Sequence, residues 1–320
     1  MKFSLFIASI IMTMSLISCK NKEITATSGD QSSATHDIRL SLAQWSFHKE
    51  LDAKKMDHLQ FAEKAASLGF EGVEYVNKFF KDKAQDTAYL NKMTEKANAA
   101  GVTQLLIMID DEGYLADRDQ AKRDEAINNH HKWVDAAAFL GCHSIRVNAH
   151  GEGTAEEVAT AAVDGLSRLG DYAAQKNINV IVENHGGYSS NGEWLANVMK
   201  TVNKPNVGTL PDFGNFCLKR QDNQMWGTPC MEEYDRYKGV EELLPYAKAV
   251  SAKSYDFNAE GSETLMDYPR LMTLVKNSGY KGFVGVEYEG ERLGEEQGII
   301  ATRDLLRKCL SALYPAESRK

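Results

Sequence analysis

Three acidic side chains in this sequence each close a short apolar run. Glu183 follows Val-Ile-Val, Asp212 follows Val-Gly-Thr-Leu-Pro, and Glu287 follows Phe-Val-Gly-Val. Three carboxylates that met at one place would repel each other strongly unless a cation lay among them. Hard divalent cations prefer such oxygen ligands, and an added imidazole shifts the preference toward Mn, Co, Zn or Fe. His185, two residues after Glu183, points to the same side of a strand.

These residues indicate a divalent metal site, for Mn, Mg, Co or Zn, with Glu183, His185, Asp212 and Glu287 as candidate ligands. The alternative for any single acid is a solvated position at the end of a strand. That alternative is weaker when three strands of one sheet end in the same way.

The meeting of these acids depends on a regular alternation of strand and helix patterns. Eight short apolar runs, most of them rich in β-branched residues, predict buried parallel strands. The runs are 38–45, 70–76, 102–109, 144–149, 178–183, 207–212, 249–253 and 283–287. Amphipathic stretches separate them, and several end in glycine, the residue that commonly stops a helix.

This alternation predicts an α/β fold, a single (β/α)8 TIM barrel over residues 37–316. A doubly wound open sheet is the alternative. It would usually carry a glycine-rich phosphate loop after an early strand, and the first strand here is followed by Ser46-Phe47-His48 instead.

In a barrel of this kind the active site lies at the carboxyl ends of the strands. Further polar residues at those ends are candidates for substrate binding: His48, Glu74, Arg146, His150 and Lys253. For Arg146 an ion pair with Glu74 or Asp110 is the stronger alternative. His130 and His131 fall in a helical stretch, and we expect them on the surface.

Four segments make the pattern more specific: Val182-Glu183-Asn184-His185, Leu210-Pro211-Asp212-Phe213-Gly214-Asn215, Ala252-Lys253-Ser254-Tyr255-Asp256 and Gly285-Val286-Glu287-Tyr288. With them, the chain from Asp37 to about Leu313 resembles the xylose-isomerase-like TIM barrel family of sugar and sugar-phosphate isomerases and epimerases. The resemblance implies a divalent metal held by Glu183, Asp212 and Glu287. The family's fourth ligand, a histidine of strand seven, is replaced here by Ser251, and His185 is the candidate to take its place.

The resemblance also implies a metal-dependent enzyme that abstracts a proton next to the carbonyl of a sugar or keto-sugar, through an enediolate. Glu183 and Glu287 would remove and return the proton. If the adjacent carbon carries a leaving group, the same carbanion eliminates it, so a 3-keto-glycoside lyase or hydrolase is an alternative. A carbohydrate-binding lipoprotein without turnover is another.

The net charge of the chain limits the classes of binding partner that we expect. The 320 residues carry 45 acidic and 37 basic side chains, a formal net charge of −8. Nucleic-acid binding requires a basic face, so we expect no nucleic-acid partner and no phosphodiester-cleaving activity. A small carbohydrate is the expected partner, and a homo-oligomer is left open.

The first 36 residues predict an export signal and a tether, not a part of the folded domain. Residues 1–18 have the features of a signal peptide, with Lys2 before an apolar stretch, and Leu16-Ile17-Ser18-Cys19 resembles a bacterial lipobox. Cys19 would be lipidated, and the polar segment 19–36 would tether the domain to the periplasmic or cell-surface face of a bacterial membrane. In an oxidising compartment Cys217 and Cys230, thirteen residues apart, could form a disulfide.

Overall fold

A computed structural model describes residues 37–315. The predicted signal peptide, the lipidation site Cys19 and the tether to residue 36 lie outside these residues. Within the described part of the chain, no helix combines the length and the apolar character that crossing a membrane requires.

Eight parallel strands form the sheet at the centre of the domain: β1 Ile38–Ala43, β2 Gly72–Val76, β3 Thr103–Met108, β4 Ser144–Val147, β5 Asn179–Glu183, β6 Val207–Leu210, β9 Val250–Ser254 and β10 Gly282–Tyr288. Their order is β6-β5-β4-β3-β2-β1-β10-β9. Single bridges between Thr209 and Ala247 and between Asp212 and Ser251 link β6 to β9, the two strands at the ends of this order. The predicted TIM barrel is therefore confirmed.

Helices connect the strands: α1 His48–Asp52, α2 Phe61–Ser67, α3 Thr87–Ala100, α4 Gln120–Leu140, α5 Ala155–Ala174, α6 Gly192–Val202, α7 Arg236–Leu243, α8 Tyr268–Asn277 and α9 Glu295–Leu313. Local chemistry fixes their ends. The Asp119 side chain accepts hydrogen bonds from the first N–H groups of α4, and Gly141 follows the helix at φ +73°. A glycine adopts that left-handed conformation without strain, so the chain turns at once into β4.

Among the elements that the sequence does not predict is a small antiparallel hairpin between β6 and α7. It consists of β7, Cys217–Arg220, and β8, Cys230–Glu233. A disulfide joins Cys217 to Cys230 across it. Its strands are short, polar and largely exposed, so they lack the apolar pattern by which a strand is recognised in a sequence.

The expectation of a surface position is wrong for His130. Its side chain is 3% exposed, and its Nδ1–H donates to the Ala126 carbonyl at 2.7 Å. His58 is equally buried, with Nδ1 accepting a hydrogen bond from Gln44 Nε2 at 2.8 Å and Phe80 stacked on the ring. Burial therefore favours the neutral form of both imidazoles.

These two histidines make the fold sensitive to acid. Burial lowers the pKa of His58 and of His130 from the ordinary 6.5 to about 4. Between pH 6.5 and 4 the unfolded chain binds more protons than the folded one, so stability is present above this window and is lost as the pH falls through it. We expect each histidine to cost up to about 1.4 kcal/mol per pH unit there.

Urea unfolding at several pH values tests this. The variant His130→Gln, whose amide can still donate to Ala126, should lose less stability than the wild type between pH 6.5 and 4.5. Above pH 7 the two proteins should respond alike, which serves as the internal control. Equal losses below pH 6.5 would show that His130 is not a source of the acid sensitivity.

Candidate functional site

The three acidic residues predicted from the sequence meet at one end of the barrel. Glu183 is the last residue of β5, Asp212 lies two residues beyond β6, and Glu287 is the penultimate residue of β10. Ligand oxygens of the three carboxyl groups lie within 4.8 Å of one another, and all three side chains are at most 3% exposed. They are the one set of three or more candidate metal-binding side chains found within residues 37–315.

Glu183 is held by an amide and a guanidinium. Asn215 Nδ2 donates to its Oε1 at 2.8 Å, and Arg146 Nε lies 2.8 Å from its Oε2 as an ion pair without hydrogen-bond geometry. Arg146 Nη1 also donates to Asp110 Oδ1 at 2.8 Å. Burial lowers the pKa of Arg146, but Asp110 and Glu183 outweigh it and raise that pKa. Of the ion pairs considered for Arg146, the structure forms the one with Asp110.

Asp212 is fixed through its backbone and one carboxylate oxygen. The Asn184 side chain bonds both to the N–H of Asp212, at 2.7 Å, and to its carbonyl, at 2.9 Å. Oδ1 accepts from the N–H groups of Gly214 and Asn215, whereas Oδ2 is buried with no hydrogen-bond partner among the described residues. Burial raises the pKa of Asp212 to about 6, with Lys253 opposing the rise and Glu183 adding to it.

Glu287 lies between a hydroxyl and an ammonium. Ser251 Oγ donates to its Oε2 at 3.0 Å, and Lys253 Nζ lies 3.5 Å from its Oε1. Burial raises the pKa of Glu287 to about 8; Lys253 opposes the rise and the neighbouring carboxylates Glu183 and Asp212 add to it. Three carboxyl groups therefore share a space in which their mutual repulsion is only partly neutralised.

Lys253 is 2% exposed, and its Nζ also lies 3.4 Å from Glu289 Oε2. Burial by itself lowers the pKa of this ammonium. The carboxylates Glu287, Glu289 and Asp212 outweigh that effect and hold the pKa well above its ordinary value. Lys253 is thus a fixed positive charge beside the three acids.

His185, expected as the fourth ligand, is not part of the carboxylate group. Its Nδ1 donates to Asn148 Oδ1 at 2.9 Å, because the Asn148 amide nitrogen already donates to Asp110. Its ring packs against Trp226, with 4.3 Å between the ring centres. Burial, Arg146 and Lys253 lower the pKa of His185 well below its ordinary value, so the imidazole is neutral. The candidate ligand set in this structure is made of oxygen atoms alone.

A cavity of about 970 Å³ opens above this group at the carboxyl ends of the strands. Its lining includes Arg146, Asn215, Lys253, Glu287 and Glu289, whereas Glu183 and Asp212 lie one layer deeper. Glu287 is therefore the acid of the group that reaches the cavity directly.

The predicted substrate-binding residues divide into two sets. Arg146, His150 and Lys253 line the cavity. His48 does not, since its Nδ1 donates to the Trp45 carbonyl and its ring stacks on Trp45. Glu74 lies inside the barrel, where it accepts from Ser41 Oγ at 2.6 Å and burial raises its pKa to about 7. Gly285 makes room for this carboxyl group, because a Cβ there would lie 2.5 Å from Glu74 Oε1.

The residues that the sequence analysis missed come from the hairpin. Met225 and Trp226, between β7 and β8, form part of the cavity wall together with Arg220. They follow no strand of the barrel, so the rule that places active-site residues at strand ends does not find them. The available signal in the sequence was a pair of large apolar residues, Met225-Trp226, in an otherwise polar segment, and the structure leaves Trp226 42% exposed.

Two characterised enzymes are similar to parts of this chain. An inosose dehydratase of Geobacillus thermodenitrificans is 25% identical over 149 residues, which are 42% of this chain and 48% of that protein. The alpha subunit of a C-glycoside deglycosidase of Arthrobacter globiformis is 36% identical over 70 residues, 21% of this chain and 19% of that protein. The matched segments thus span about half and about a fifth of these relatives.

Solved structures match over most of the domain. A D-psicose 3-epimerase of Clostridium cellulolyticum H10 has a TM-score of 0.66 at 13% identity, covering 85% of this chain and 99% of its own. A 3-keto-D-glucoside 4-epimerase of E. coli has a TM-score of 0.63 at 14% identity, covering 86% and 100%. The zinc-containing IOLI protein has a TM-score of 0.64 at 16% identity, covering 87% and 100%. At sequence identities this low, the similarity to these structures shows a shared fold and no more.

The family model described as xylose isomerase-like TIM barrel matches residues 62–309. This range contains seven of the eight barrel strands and all three acids of the buried group. The chain belongs to the xylose isomerase-like TIM barrel family.

Proposed function

We propose that this protein is a sugar-processing enzyme that removes a proton from the carbon next to a sugar carbonyl and returns it elsewhere. The observation that carries the proposal is the buried group of Glu183, Asp212 and Glu287 at the mouth of the barrel. The names of its relatives support it, since dehydration, deglycosylation and 3- or 4-epimerisation of sugars can all begin at an acidic C–H beside a carbonyl.

The residues present fit a divalent cation. Asp212 Oδ2 is buried without a hydrogen-bond partner among the described residues. Burial, with added repulsion from the neighbouring carboxylates, raises the pKa values of Asp212 and Glu287 although Lys253 opposes the rise, and a cation at this place would favour their charged forms. Three oxygen donors without an imidazole favour Mg²⁺ or Mn²⁺ over Zn²⁺. When bound, such a cation polarises the sugar carbonyl and stabilises the negative charge that develops on its oxygen.

The residues of the chain supply the proton transfers and the orientation. Glu287, which faces the cavity, takes the proton from carbon and returns it. Glu183 is the second acid–base group, and it contacts substrate only when the Asn215 amide turns away from its Oε1. Lys253 and Arg146 present fixed positive charge to substrate oxygens at the cavity floor, where burial strengthens the attraction.

Elimination is the second outcome that this site supports. If the carbon next to the carbanion carries a hydroxyl or a glycosidic oxygen, that oxygen takes a proton from the acid–base pair Glu183 and Glu287 and leaves as water or as the free aglycone, while the electron pair of the carbanion forms a C=C bond. The similarity to an inosose dehydratase and to a C-glycoside deglycosidase subunit favours this outcome. Epimerisation and elimination require the same first step, so one experiment addresses both.

We expect the metal to depend on Asp212. The wild type should bind about one Mn²⁺ ion per chain, and Asp212→Asn should lose most of this affinity because one oxygen anion becomes a neutral amide. Calorimetric titration with MnCl₂ and metal analysis after dialysis measure both. Asp82→Asn, on an exposed side chain, is the matched control and should bind as the wild type does. Equal binding by Asp212→Asn and the control would place the metal elsewhere.

The proton transfer is tested by exchange with solvent deuterium. With Mn²⁺ in D₂O, the wild type should replace a C–H next to the carbonyl in a keto-sugar or a 3-keto-glycoside, as followed by NMR. Glu287→Gln and Glu183→Gln should lose at least about 100-fold in rate, the usual contribution of a positioned acid–base group. Glu95→Gln, exposed on α3, should keep the wild-type rate. Absence of exchange and of product with every keto-sugar tested would contradict the proposed function.

We also propose that the protein is exported and lipid-anchored through Cys19. The lipobox-like Leu-Ile-Ser-Cys segment and the Cys217–Cys230 disulfide support this. Cys19→Ala should move the protein from the membrane fraction to the soluble fraction, whereas Ser18→Gly, which keeps a small residue before the cysteine, should not. Fractionation and the mass of the N-terminal peptide measure this. An unlipidated Cys19 in the wild type would contradict the proposal.

A further inference from the structure

A second cavity, of about 490 Å³, lies beside the first at the same end of the barrel. The segment after β4, the segment after β5 and the hairpin form its walls. His150 and Met225 line both cavities, so the two spaces are adjacent and share these side chains. The group of three acids lies below the first cavity and does not reach the second.

An aromatic pair forms one wall of the second cavity. The rings of Tyr188 and Trp194 stack with 5.9 Å between their centres and 27° between their planes. Tyr188 OH donates to the Gly153 carbonyl at 2.8 Å, and Trp194 Nε1 donates to the Ala155 carbonyl at 2.9 Å. Because the polar edges already have partners, these rings offer a ligand mainly apolar surface, held in place before binding.

The hairpin supplies the opposite wall. Leu218, Lys219 and Glu232 line it, close to the disulfide that joins β7 to β8. Lys219 and Glu232 carry opposite charges, so this wall does not favour a charged ligand of either sign. The disulfide limits the spread of the hairpin, which keeps the width of the cavity defined.

Four of the eight large apolar side chains that are exposed within residues 37–315 line these two cavities. Tyr114 and Trp226 line the first, Tyr188 lines the second and Met225 lines both; each is at least 37% exposed. Large apolar side chains gathered on the surface indicate a contact surface for a ligand. Met225 is unbranched, so its side chain can move aside where the cavities adjoin.

Resting on the proposed function, we infer that the substrate is an uncharged glycoside of at least two ring units. The reacting sugar ring occupies the first cavity above Glu287, and a second ring with an apolar face, a sugar or an aromatic group, stacks on Tyr188 and Trp194 in the second cavity. A free monosaccharide fills only the first space, and the second then contributes nothing to affinity.

Calorimetric titration of the purified protein tests this with three probes of one sugar series: methyl β-D-glucoside, cellobiose and phenyl β-D-glucoside, and then the galactoside counterparts. A two-ring probe should bind at least about tenfold more tightly than the methyl glycoside of the same sugar. Whether the disaccharide or the phenyl glycoside gains more identifies the second ring. The inference is wrong if no two-ring probe binds more tightly than its methyl glycoside.

Two variants test whether the second ring of the ligand binds at Tyr188 and Trp194. Tyr188→Ala and Trp194→Leu should each lower the ratio of two-ring to one-ring affinity by about three- to tenfold, because each removes an aromatic face. Trp194→Leu keeps the backbone hydrogen bond that Asn191 accepts at the start of α6, and thermal melting verifies the fold of both. Phe139→Ala, an exposed aromatic residue on α4 outside both cavities, is the control and should leave the ratio unchanged. An unchanged ratio in both cavity variants overturns the placement of the second ring.

The deuterium-exchange assay separates this inference from the proposed function. A two-ring preference without any exchange upholds the second cavity and contradicts the proton transfer. Exchange that is equally fast for one-ring and two-ring keto-sugars, with no effect of Tyr188→Ala, upholds the proton transfer and overturns the inference.

Discussion

Repulsion among buried carboxylates is the constraint around which the mouth of this barrel is organised. Glu183, Asp212 and Glu287 are nearly inaccessible to water, and their oxygens lie within 4.8 Å of one another. Arg146 and Lys253 supply two positive charges, while Asp110 and Glu289 add two further acids to the same network. Burial, and then repulsion from the neighbouring carboxylates, raises the pKa of Asp212 and Glu287, and a cation among them would favour the charged forms.

Uncharged side chains also hold the three acidic residues in place. Asn215 and Ser251 donate to the carboxyl groups of Glu183 and Glu287, and Asn184 holds the backbone of Asp212, so each acid is held by a partner that adds no charge. Ser251 stands where relatives of this barrel are expected to carry a histidine, and it contributes a short hydroxyl instead of a metal ligand. The candidate ligand set consequently consists of oxygen atoms alone, and the ammonium of Lys253 lies against it.

The barrel and the hairpin contribute different parts of the site: the barrel carries the three acids, and the hairpin lines the cavities above them. The strands hold the acids rigidly, because both neighbours of each strand end are fixed by the closed sheet. The hairpin is joined across its strands by a disulfide and forms part of the wall of both cavities. The buried acids and part of the cavity walls thus come from different parts of the chain.

The sequence by itself determined the fold and the acids of the candidate site. Eight apolar runs and glycine helix stops are local signals that depend on neighbouring residues. Carboxylates that close such runs come to the same end of the barrel when the strands are parallel. Tertiary structure alone decided that His185 pairs with Asn148 rather than with the acids. It also decided that Arg146 joins Glu183 to Asp110. Only the folded chain shows that Tyr188, Trp194 and the hairpin enclose a second cavity. The physical reason is that these contacts join segments about 35 residues or more apart, or depend on rotamers and loop paths, and no local pattern in the sequence records them.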